Sequence, residues 1–120
     1  MKAAVIGVGY WGPNLIRNFL AHDEIENVIA CDKDAGRLEK MRRQFHAIET
    51  ADDYRLVIDR DDVDIVVIAT PVSSHFEIAK AALLADKHCF VEKPITASVA
   101  EAEELSKIAD ERGLTLFVDH

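Results

Sequence analysis

The chain has 120 residues, of which 49% are apolar and 30% charged, and its formal net charge at pH 7 is −8. This length supports one compact domain with a buried core and is too short for two. The excess of Asp and Glu argues against nucleic acid as a partner, and no apolar run approaches the roughly 18 residues of a membrane-spanning helix.

The first predicted elements alternate between short apolar runs and helical spacing. Residues 3–6 form a continuous apolar run, which is typical of a strand buried on both faces of a sheet. Gly-x-Gly-x-x-Gly follows at 7–12, and apolar residues then recur at helical spacing over 15–20. Residues 28–31 predict a second strand, and apolar positions within 38–45 mark one face of a second helix.

The middle of the chain continues this alternation. A weak strand is predicted near 47–48, a short helix over 54–58 and a clear strand over 65–69. Ser74, with Glu77 three residues on, has the spacing of a capping box and predicts the start of the next helix.

The last third of the chain completes the pattern. Residues 89–91 predict a fifth strand, and Ser98 with Glu101 predicts a second capping box. Gly113 predicts the end of that helix, and 114–118 a sixth strand. Six strands that alternate with helices indicate an α/β fold: a Rossmann-type three-layer domain whose six-stranded, mainly parallel sheet carries helices on both faces.

The glycine sequence lies between a predicted strand and a predicted helix, which is the context of a dinucleotide-binding loop. Gly7 permits a tight turn, Gly9 lets the backbone approach a pyrophosphate, and Gly12 lets helix and strand pack closely. N–H groups at the positive end of the helix dipole would then bind the diphosphate. Pro13 suits the first helical turn, where its missing N–H has no helical partner.

Two large aromatic residues, Tyr10 and Trp11, stand at the tip of this loop. An aromatic pair at a loop tip indicates a surface that covers something else. Two interpretations stay open: the rings contact the cofactor or substrate, or they cover a neighbouring domain.

Asp32 ends the second predicted strand, 20 residues beyond Gly12. A carboxylate at this position accepts hydrogen bonds from the adenosine ribose hydroxyls. The same charge repels the 2′-phosphate of NADP, so NAD is the expected cofactor and NADP is less favoured. Lys33 and Arg37 partly offset this repulsion and are also predicted to contact the cofactor. Asp34 is predicted to be the N-cap of the second helix.

The loop and the acidic residue leave the reaction class open, because S-adenosylmethionine methyltransferases share both. Nothing after the fourth strand supplies a methyl-acceptor site, which disfavours that class. Neither Tyr10 nor Tyr54 has a lysine four residues on, so the Tyr-x-x-x-Lys pair of a short-chain dehydrogenase is absent from the sequence. The sequence also lacks the G-x-x-x-x-G-K-[ST] loop that binds nucleoside triphosphates.

Two further segments follow predicted strands at the edge of the sheet where open α/β folds bind ligands. They are Ala-Thr-Pro-Val-Ser-Ser-His at 69–75 and Glu-Lys-Pro-Ile-Thr at 92–96. Together with the glycine loop, they make the whole chain resemble the glucose–fructose oxidoreductase/inositol dehydrogenase family, also called Gfo/Idh/MocA. The loop is shared with many families, whereas the Glu-Lys-Pro sequence after the fifth strand is far more specific.

The resemblance implies the nucleotide-binding domain of an NAD-dependent oxidoreductase that transfers a hydride between a sugar, nucleotide-sugar or polyol hydroxyl and nicotinamide. Lys93 resembles the catalytic lysine near the nicotinamide and the reacting hydroxyl. A lysine partly shielded from solvent, with a lowered pKa, would orient the hydroxyl or relay its proton. Glu92 would lie near the nicotinamide ribose, and Thr70, Pro71 and His75 would line the cofactor cleft.

Two histidines keep alternative interpretations. His75 is either a cofactor contact or a histidine that starts a helix and makes a structural hydrogen bond. His120 follows the sixth strand at the ligand-facing edge of the sheet. It is either a functional residue of the site or a residue without such a role. The resemblance also implies a cis peptide bond between Lys93 and Pro94, a form whose energetic cost is low before proline.

The two cysteines, Cys31 and Cys89, lie in or beside predicted strands and lack CxxC or metal-ligand spacing. They are expected to be buried, reduced thiols, and no metal site is predicted. With no signal peptide pattern after Met1, the expected location is cytoplasmic.

Members of the resembled family carry a second, larger α+β domain that supplies the substrate pocket and a catalytic histidine. This chain ends at His120, where that domain would begin, so residues 1–120 are expected to be the NAD(P)-binding domain alone, binding cofactor with little or no turnover. The full-length protein is expected to be a homo-oligomer acting on a small sugar or polyol. The alternative is a non-catalytic NAD(P)-sensing or interaction module, which would not need Glu-Lys-Pro at 92–94.

Overall fold

The computed structural model describes residues 1–119, so the role considered for His120 lies outside the described residues. Within them, six strands and five α-helices alternate. The strands are β1 (Lys2–Ile6), β2 (Asn27–Cys31), β3 (Glu49–Ala51), β4 (Ile65–Ile68), β5 (His88–Glu92) and β6 (Leu116–Asp119). The helices are α1 (Gly12–Leu20), α2 (Ala35–Gln44), α3 (Tyr54–Ile58), α4 (His75–Leu84), which a 3₁₀ turn (Val72–Ser74) precedes, and α5 (Val99–Arg112). None of these helices is long and apolar enough to cross a membrane.

The six strands form one sheet in the order β3-β2-β1-β4-β5-β6, and every neighbouring pair is parallel. The chain leaves β1 towards one side of the sheet and returns to β4 on the other, so the strand order reverses between β1 and β4. Ligands of open α/β folds bind outside the carboxyl ends of the strands at such a point. The predicted Rossmann-type architecture is confirmed.

Alternate residues of β1 face two separate cores, which explains its continuous apolar run. Ala3 and Val5 pack with apolar residues of α1 and α2 on one face. Ala4 and Ile6 pack with apolar residues of α3, α4 and α5 on the other. All four side chains are buried, so both faces of the central strand are covered by helices.

Three helix ends follow the predicted signals. Asp34 Oδ1 accepts hydrogen bonds from two N–H groups in the first turn of α2, at 2.8 and 3.1 Å, which confirms the N-cap. Ser98 Oγ accepts from the N–H of Glu101 at 3.2 Å at the start of α5. Gly113 ends α5 in the left-handed conformation, with φ of 66°, as the C-terminal stop requires.

Helix α4 begins directly after Ser74, as predicted, but the predicted capping box does not form. Ser74 has helical dihedrals (φ −101°, ψ −7°) and no side-chain cap hydrogen bond, because the 3₁₀ turn already places it in helical conformation, whereas an N-cap needs extended backbone. Its hydroxyl lies instead 2.7 Å from Thr70 Oγ1 and 2.8 Å from the Pro71 carbonyl oxygen. Glu77, the expected partner in the box, accepts a hydrogen bond from the Tyr54 hydroxyl at 2.9 Å.

The third strand lies two residues later than predicted. The sequence placed it near 47–48, where Ile48 is apolar and buried, but the strand is Glu49–Ala51. Its three residues are half-buried and it pairs only with β2, so no apolar run marks it. The shift matters because it brings the loop that starts at residue 52 to the ligand edge of the sheet.

Ion pairs hold the start of β3 at the opposite edge. The Glu49 carboxylate accepts hydrogen bonds from Lys2 Nζ at 2.9 Å and from the Arg60 guanidinium at 3.2 Å. The hydrogen bond from Lys2, followed by that from Arg60, lowers the pKa of Glu49. The outermost strand is therefore tied to the central one by charge as well as by its ladder with β2.

Alkylation tests the state of the two cysteines. Both are free and buried, as predicted, and burial raises the pKa of each thiol to about 12, with Asp32 adding to the shift at Cys31. Because the thiolate is the reacting form, we expect iodoacetamide to leave both unmodified in the folded chain at neutral pH and to modify both in urea, as measured by mass spectrometry. Rapid labelling of the folded chain would contradict this.

Candidate functional site

A cleft of about 580 Å³ opens at the carboxyl ends of the parallel strands, within the size range of small-ligand sites. Its walls come from the segments that follow β1, β2, β3 and β4, on both sides of the point where the strand order reverses. Seven of the predicted site residues line it: Gly7, Gly9, Asp32, Lys33, Arg37, Thr70 and Pro71.

One wall of the cleft was not indicated by the sequence. It consists of residues 52–55, which follow β3, and of polar residues Ser74 and Glu77 around the start of α4. Segments after parallel strands gather at the same edge, so the correct end of β3 was the signal that would have identified 52–55.

Gly7 has a steric requirement for glycine. Its φ is +91°, and an added Cβ would lie 2.9 Å from the backbone of both Ala69 and Thr70. A left-handed φ disfavours any L side chain, and the backbone of the next strand end leaves no room for one. The predicted tight turn is present at this position.

Gly12 is required by packing within the loop itself. An added Cβ would lie 2.8 Å from Val8 Cβ, so the first turn of α1 can approach the residues after β1 only without a side chain. Gly12 is buried and lies outside the cleft lining. Its role in the described chain is close packing, as the sequence predicted.

Gly9 differs from both. Its φ lies outside the left-handed region, and an added Cβ would be in ordinary van der Waals contact with the Arg37 guanidinium, at 3.7 Å. The fold therefore does not require glycine here. Gly9 lines the cleft, and the absence of a side chain leaves space for a ligand close to the backbone.

The backbone around Gly9 also offers free hydrogen-bond donors. The N–H of Gly7 donates to the Cys31 carbonyl oxygen at 2.8 Å. Within residues 1–119 the structure gives no acceptor for the N–H groups of Gly9, Tyr10 and Trp11. They precede α1, whose dipole is positive at this end, so the loop fits a diphosphate.

Asp32 has a structural role that the sequence did not indicate. Its side chain is 9% exposed, and its Oδ2 accepts a hydrogen bond from the Val8 N–H at 3.0 Å. Its Oδ1 accepts from the Asp34 N–H at 2.9 Å, and the Arg37 guanidinium lies 3.5 Å away. Because a carboxylate oxygen can accept two hydrogen bonds, the contacts from Val8 and Arg37 fill Oδ2, and Oδ1 keeps one acceptor position beside the bond from Asp34.

The wall after β3 is held by a polar cluster. The Tyr54 hydroxyl donates to Glu77 at 2.9 Å, and Arg55 lies 3.7 Å from Asp53 and 3.8 Å from Glu77. Burial, followed by the hydrogen bond to Glu77, raises the pKa of Tyr54. The cluster joins α3 to α4, and its residues line the cleft.

The two loop-tip aromatics lie outside the cleft lining. Tyr10 is 86% and Trp11 57% exposed, and their rings form an edge-to-face pair with centroids 4.9 Å apart. They contact each other over an open surface, so both predicted interpretations of these rings stay open.

Of the residues carried over from the second half of the chain, Thr70 and Pro71 line the cleft, whereas the others lie outside its lining. Lys93 is exposed and Glu92 half-buried, and neither lines the cleft. The expected partial shielding of Lys93 from solvent is not supplied by residues 1–119. His75 also lies outside the lining and is buried against backbone. The Lys93–Pro94 peptide bond is cis, as the resemblance had raised.

These features define the class of protein. A wholly parallel sheet whose strand order reverses between β1 and β4, with a glycine loop at its carboxyl edge, defines a dinucleotide-binding domain.

Among residues 1–119 there is no group of three His, Cys, Asp or Glu side chains that would hold a metal ion.

The chain belongs to the Gfo/Idh/MocA oxidoreductase family, since the family profile described as "Oxidoreductase family, NAD-binding Rossmann fold" matches residues 1–120. A UDP-N-acetylglucosamine 3-dehydrogenase from Acidithiobacillus ferrooxidans is 33% identical over 120 residues, covering all of this chain and 37% of that protein. A Glycosyl hydrolase family 109 protein from Shewanella sp. (strain ANA-3) is 36% identical over 119 residues, covering 92% of this chain and 26% of that protein.

A solved structure supports the same assignment. Biliverdin reductase from Synechocystis sp. PCC 6803, in complex with biliverdin and NADP+, matches 99% of this chain and 37% of its own with a TM-score of 0.93 and 27% identity. The chain spans 26–38% of the length of the curated relatives it matches. The prediction of an NAD(P)-binding Rossmann domain of this family is confirmed, and the choice between NAD and NADP stays a prediction.

Proposed function

We propose that this chain binds NAD in preference to NADP, as the cofactor half of an oxidoreductase acting on a sugar, nucleotide-sugar or polyol hydroxyl. The observation that carries the proposal is the loop around Gly9. Three N–H groups without acceptors in the described chain stand beside a glycine that the fold itself does not require. That combination suits a close-lying anionic ligand.

The proposed cofactor position follows from the cleft. The loop before α1 would hold the diphosphate through the free N–H groups of Gly9, Tyr10 and Trp11. The residues that would hold the adenosine ribose are Asp32, Lys33 and Arg37, with Thr70 and Pro71 in the same cleft lining. The negative charge of Asp32 favours NAD, and the Arg37 guanidinium 3.5 Å away offsets only part of that charge.

When bound, the nicotinamide accepts or donates the hydride. Lys93 is proposed to orient the substrate hydroxyl through its ammonium group and to relay the hydroxyl proton, with Glu92 near the nicotinamide ribose. Lys93 is exposed in this chain. Its shielding from water would therefore come from the substrate or from further protein. We therefore expect the chain alone to bind cofactor with little or no turnover. The enzyme to which it contributes is proposed to be cytoplasmic and homo-oligomeric.

Calorimetric titration of the chain with NAD, NADP and S-adenosylmethionine tests the proposal. We expect heat from both dinucleotides, tighter binding of NAD, and none from S-adenosylmethionine, since that ligand lacks the diphosphate for which the loop is suited. Tighter binding of NADP would contradict the assigned preference. Tighter binding of S-adenosylmethionine would contradict the oxidoreductase assignment of the site.

A substitution at Lys93 tests whether this residue contributes to cofactor binding. We expect Lys93→Ala to change NAD affinity of this chain by less than about threefold, or roughly 0.6 kcal/mol, because Lys93 is exposed and lies outside the cleft lining. The same titration measures it, with Lys107→Ala on the exposed side of α5 as control. A tenfold loss confined to Lys93→Ala would show that Lys93 holds the cofactor.

A further inference from the structure

His75 occupies an unusual position between two loops. It starts α4 and is 2% exposed. Its Nε2 lies 2.6 Å from the Thr70 carbonyl oxygen, and its Nδ1 lies 2.9 Å from the Pro94 carbonyl oxygen. Both ring nitrogens therefore face backbone acceptors that come from the segments after β4 and β5.

The chemistry of the ring limits how these contacts form. A carbonyl oxygen only accepts hydrogen bonds, and a neutral imidazole carries a single N–H. Each ring nitrogen of His75 lies close enough to a carbonyl oxygen for a hydrogen bond. A neutral His75 would set a bare nitrogen against one of the carbonyl oxygens, at a buried position where water has little access to relieve the contact.

We propose that His75 carries a proton on both ring nitrogens in the folded chain and clamps the loop after β4 to the loop after β5. The clamp makes His75 a positioning residue for Lys93, which immediately precedes Pro94. The part concerning Lys93 rests on the proposed function, whereas the two-donor state of the ring does not.

The clamp joins the cofactor wall to the lysine loop. Thr70 and Pro71 line the cleft, and the Ser74 hydroxyl contacts both of them. His75, the next residue, holds the Thr70 carbonyl from one ring nitrogen and the Pro94 carbonyl from the other. The wall of the cleft and the backbone next to Lys93 are thereby fixed relative to each other.

Two local effects, the helix dipole and burial, oppose a second proton on the His75 ring. The start of a helix disfavours a cation, because the dipole is positive there, and burial disfavours any charge. The ionisable side chains nearest along these segments are Glu77, Glu92 and Lys93, and the Glu77 carboxylate already accepts from Tyr54. The hydrogen bonds to the two carbonyl oxygens are the contacts proposed to hold the second proton on the ring.

His88 provides an internal comparison with the opposite hydrogen-bond pattern. Its Nδ1 lies 3.0 Å from the N–H of Thr115, which only donates. His88 Nδ1 must therefore be bare, and the ring is neutral with its proton on Nε2. The same chain thus contains one histidine predicted to donate twice and one predicted to accept at Nδ1.

Long-range ¹H–¹⁵N correlation spectra of the labelled chain at neutral pH test the ring state without any variant or cofactor. We expect two protonated nitrogens at His75 and a bare Nδ1 at His88. A bare nitrogen at His75 would overturn the two-donor proposal. The experiment is independent of NAD binding, so a failure of the clamp and a failure of the proposed function are distinguishable.

The positioning role is tested with His75→Gln, whose amide donates from only one nitrogen, and with His46→Gln on the surface as control. We expect ¹⁵N relaxation to show increased motion of residues 93–96 in the first variant only. Unchanged motion in His75→Gln would overturn the positioning role. If that variant does not fold, the hydrogen-exchange rates of the two His75 ring protons in the wild-type chain decide: slow exchange supports a clamp that stays closed, and exchange as fast as at exposed histidines overturns it.

Discussion

Replacing Gly9 with alanine should weaken NAD binding about 30- to 150-fold, or roughly 2–3 kcal/mol, while the free energy of unfolding stays within about 1 kcal/mol of wild type. The added Cβ meets only the Arg37 guanidinium, at 3.7 Å, so the free chain accommodates it. The methyl group occupies the space that we assign to the diphosphate. Calorimetry and urea unfolding measure the two quantities.

Gly7→Ala is the matched comparison, because it adds the same methyl group two residues earlier. Its left-handed φ and the 2.9 Å approach to the backbone of Ala69 and Thr70 should destabilise the chain by at least about 2 kcal/mol. We therefore expect Gly7→Ala to lose both stability and NAD affinity, and Gly9→Ala to lose NAD affinity alone. Equal loss of stability in both variants, or unchanged NAD affinity in Gly9→Ala, would contradict the assigned role of Gly9.

Replacing Asp32 with alanine should lower NAD affinity about 10- to 150-fold, which corresponds to losing hydrogen bonds of roughly 1.5–3 kcal/mol to a charged group. The affinity for NAD relative to NADP should fall as well, because the repulsion of the 2′-phosphate is removed while Lys33 and Arg37 remain. Titration of the variant with both dinucleotides measures the ratio.

The ratio is more informative than the NAD affinity alone. Asp32 also accepts hydrogen bonds from the N–H groups of Val8 and Asp34, so its loss disturbs the loop and weakens any cofactor. Disturbance of the loop acts on NAD and NADP alike, whereas removal of the charge does not. An unchanged ratio in Asp32→Ala would show that the carboxylate acts only through the loop.

Asp34→Ala supplies the control for this prediction. It removes a carboxylate two residues away, together with the N-cap of α2, at a position outside the cleft lining. We expect it to destabilise the chain by about 1 kcal/mol and to leave the ratio of NAD to NADP affinity unchanged. A ratio that shifts equally in both variants would mean that the overall charge of the α2 region, rather than Asp32, sets the preference.

Local sequence signals were sufficient for the centre of the fold. The run at β1 is continuous because its residues face two cores, and Asp34 and Gly113 act on neighbouring residues of the chain. The glycine loop was recognised from its position between a strand and a helix. β3 was misplaced because an edge strand of half-buried residues has no apolar run. Ser74 was misassigned because its spacing from Glu77 does not reveal the 3₁₀ turn that precedes it.

The site was predictable where a motif carries it and not where distant segments meet. Gly9 and Asp32 line the cleft as expected, but the hydrogen bond from Val8 to Asp32 depends on how β1 and β2 are paired. The same holds for Tyr54 and Glu77, which line the cleft and are joined by a hydrogen bond although they are 23 residues apart in the chain. For His75 the residue alone left two interpretations, since its carbonyl partners come from two different loops.

The wall of the cleft formed by residues 52–55 follows β3, the shortest strand of the sheet. β3 has three residues and pairs only with β2, and the loop that follows it carries the polar cluster around Tyr54. Units with few partners open before the centre of a domain, so β3 and α3 should fray while β1 and β4 stay protected from hydrogen exchange. A ligand that binds only the closed form shifts that local equilibrium by mass action. The cofactor would then complete the last folding unit of the domain as it binds.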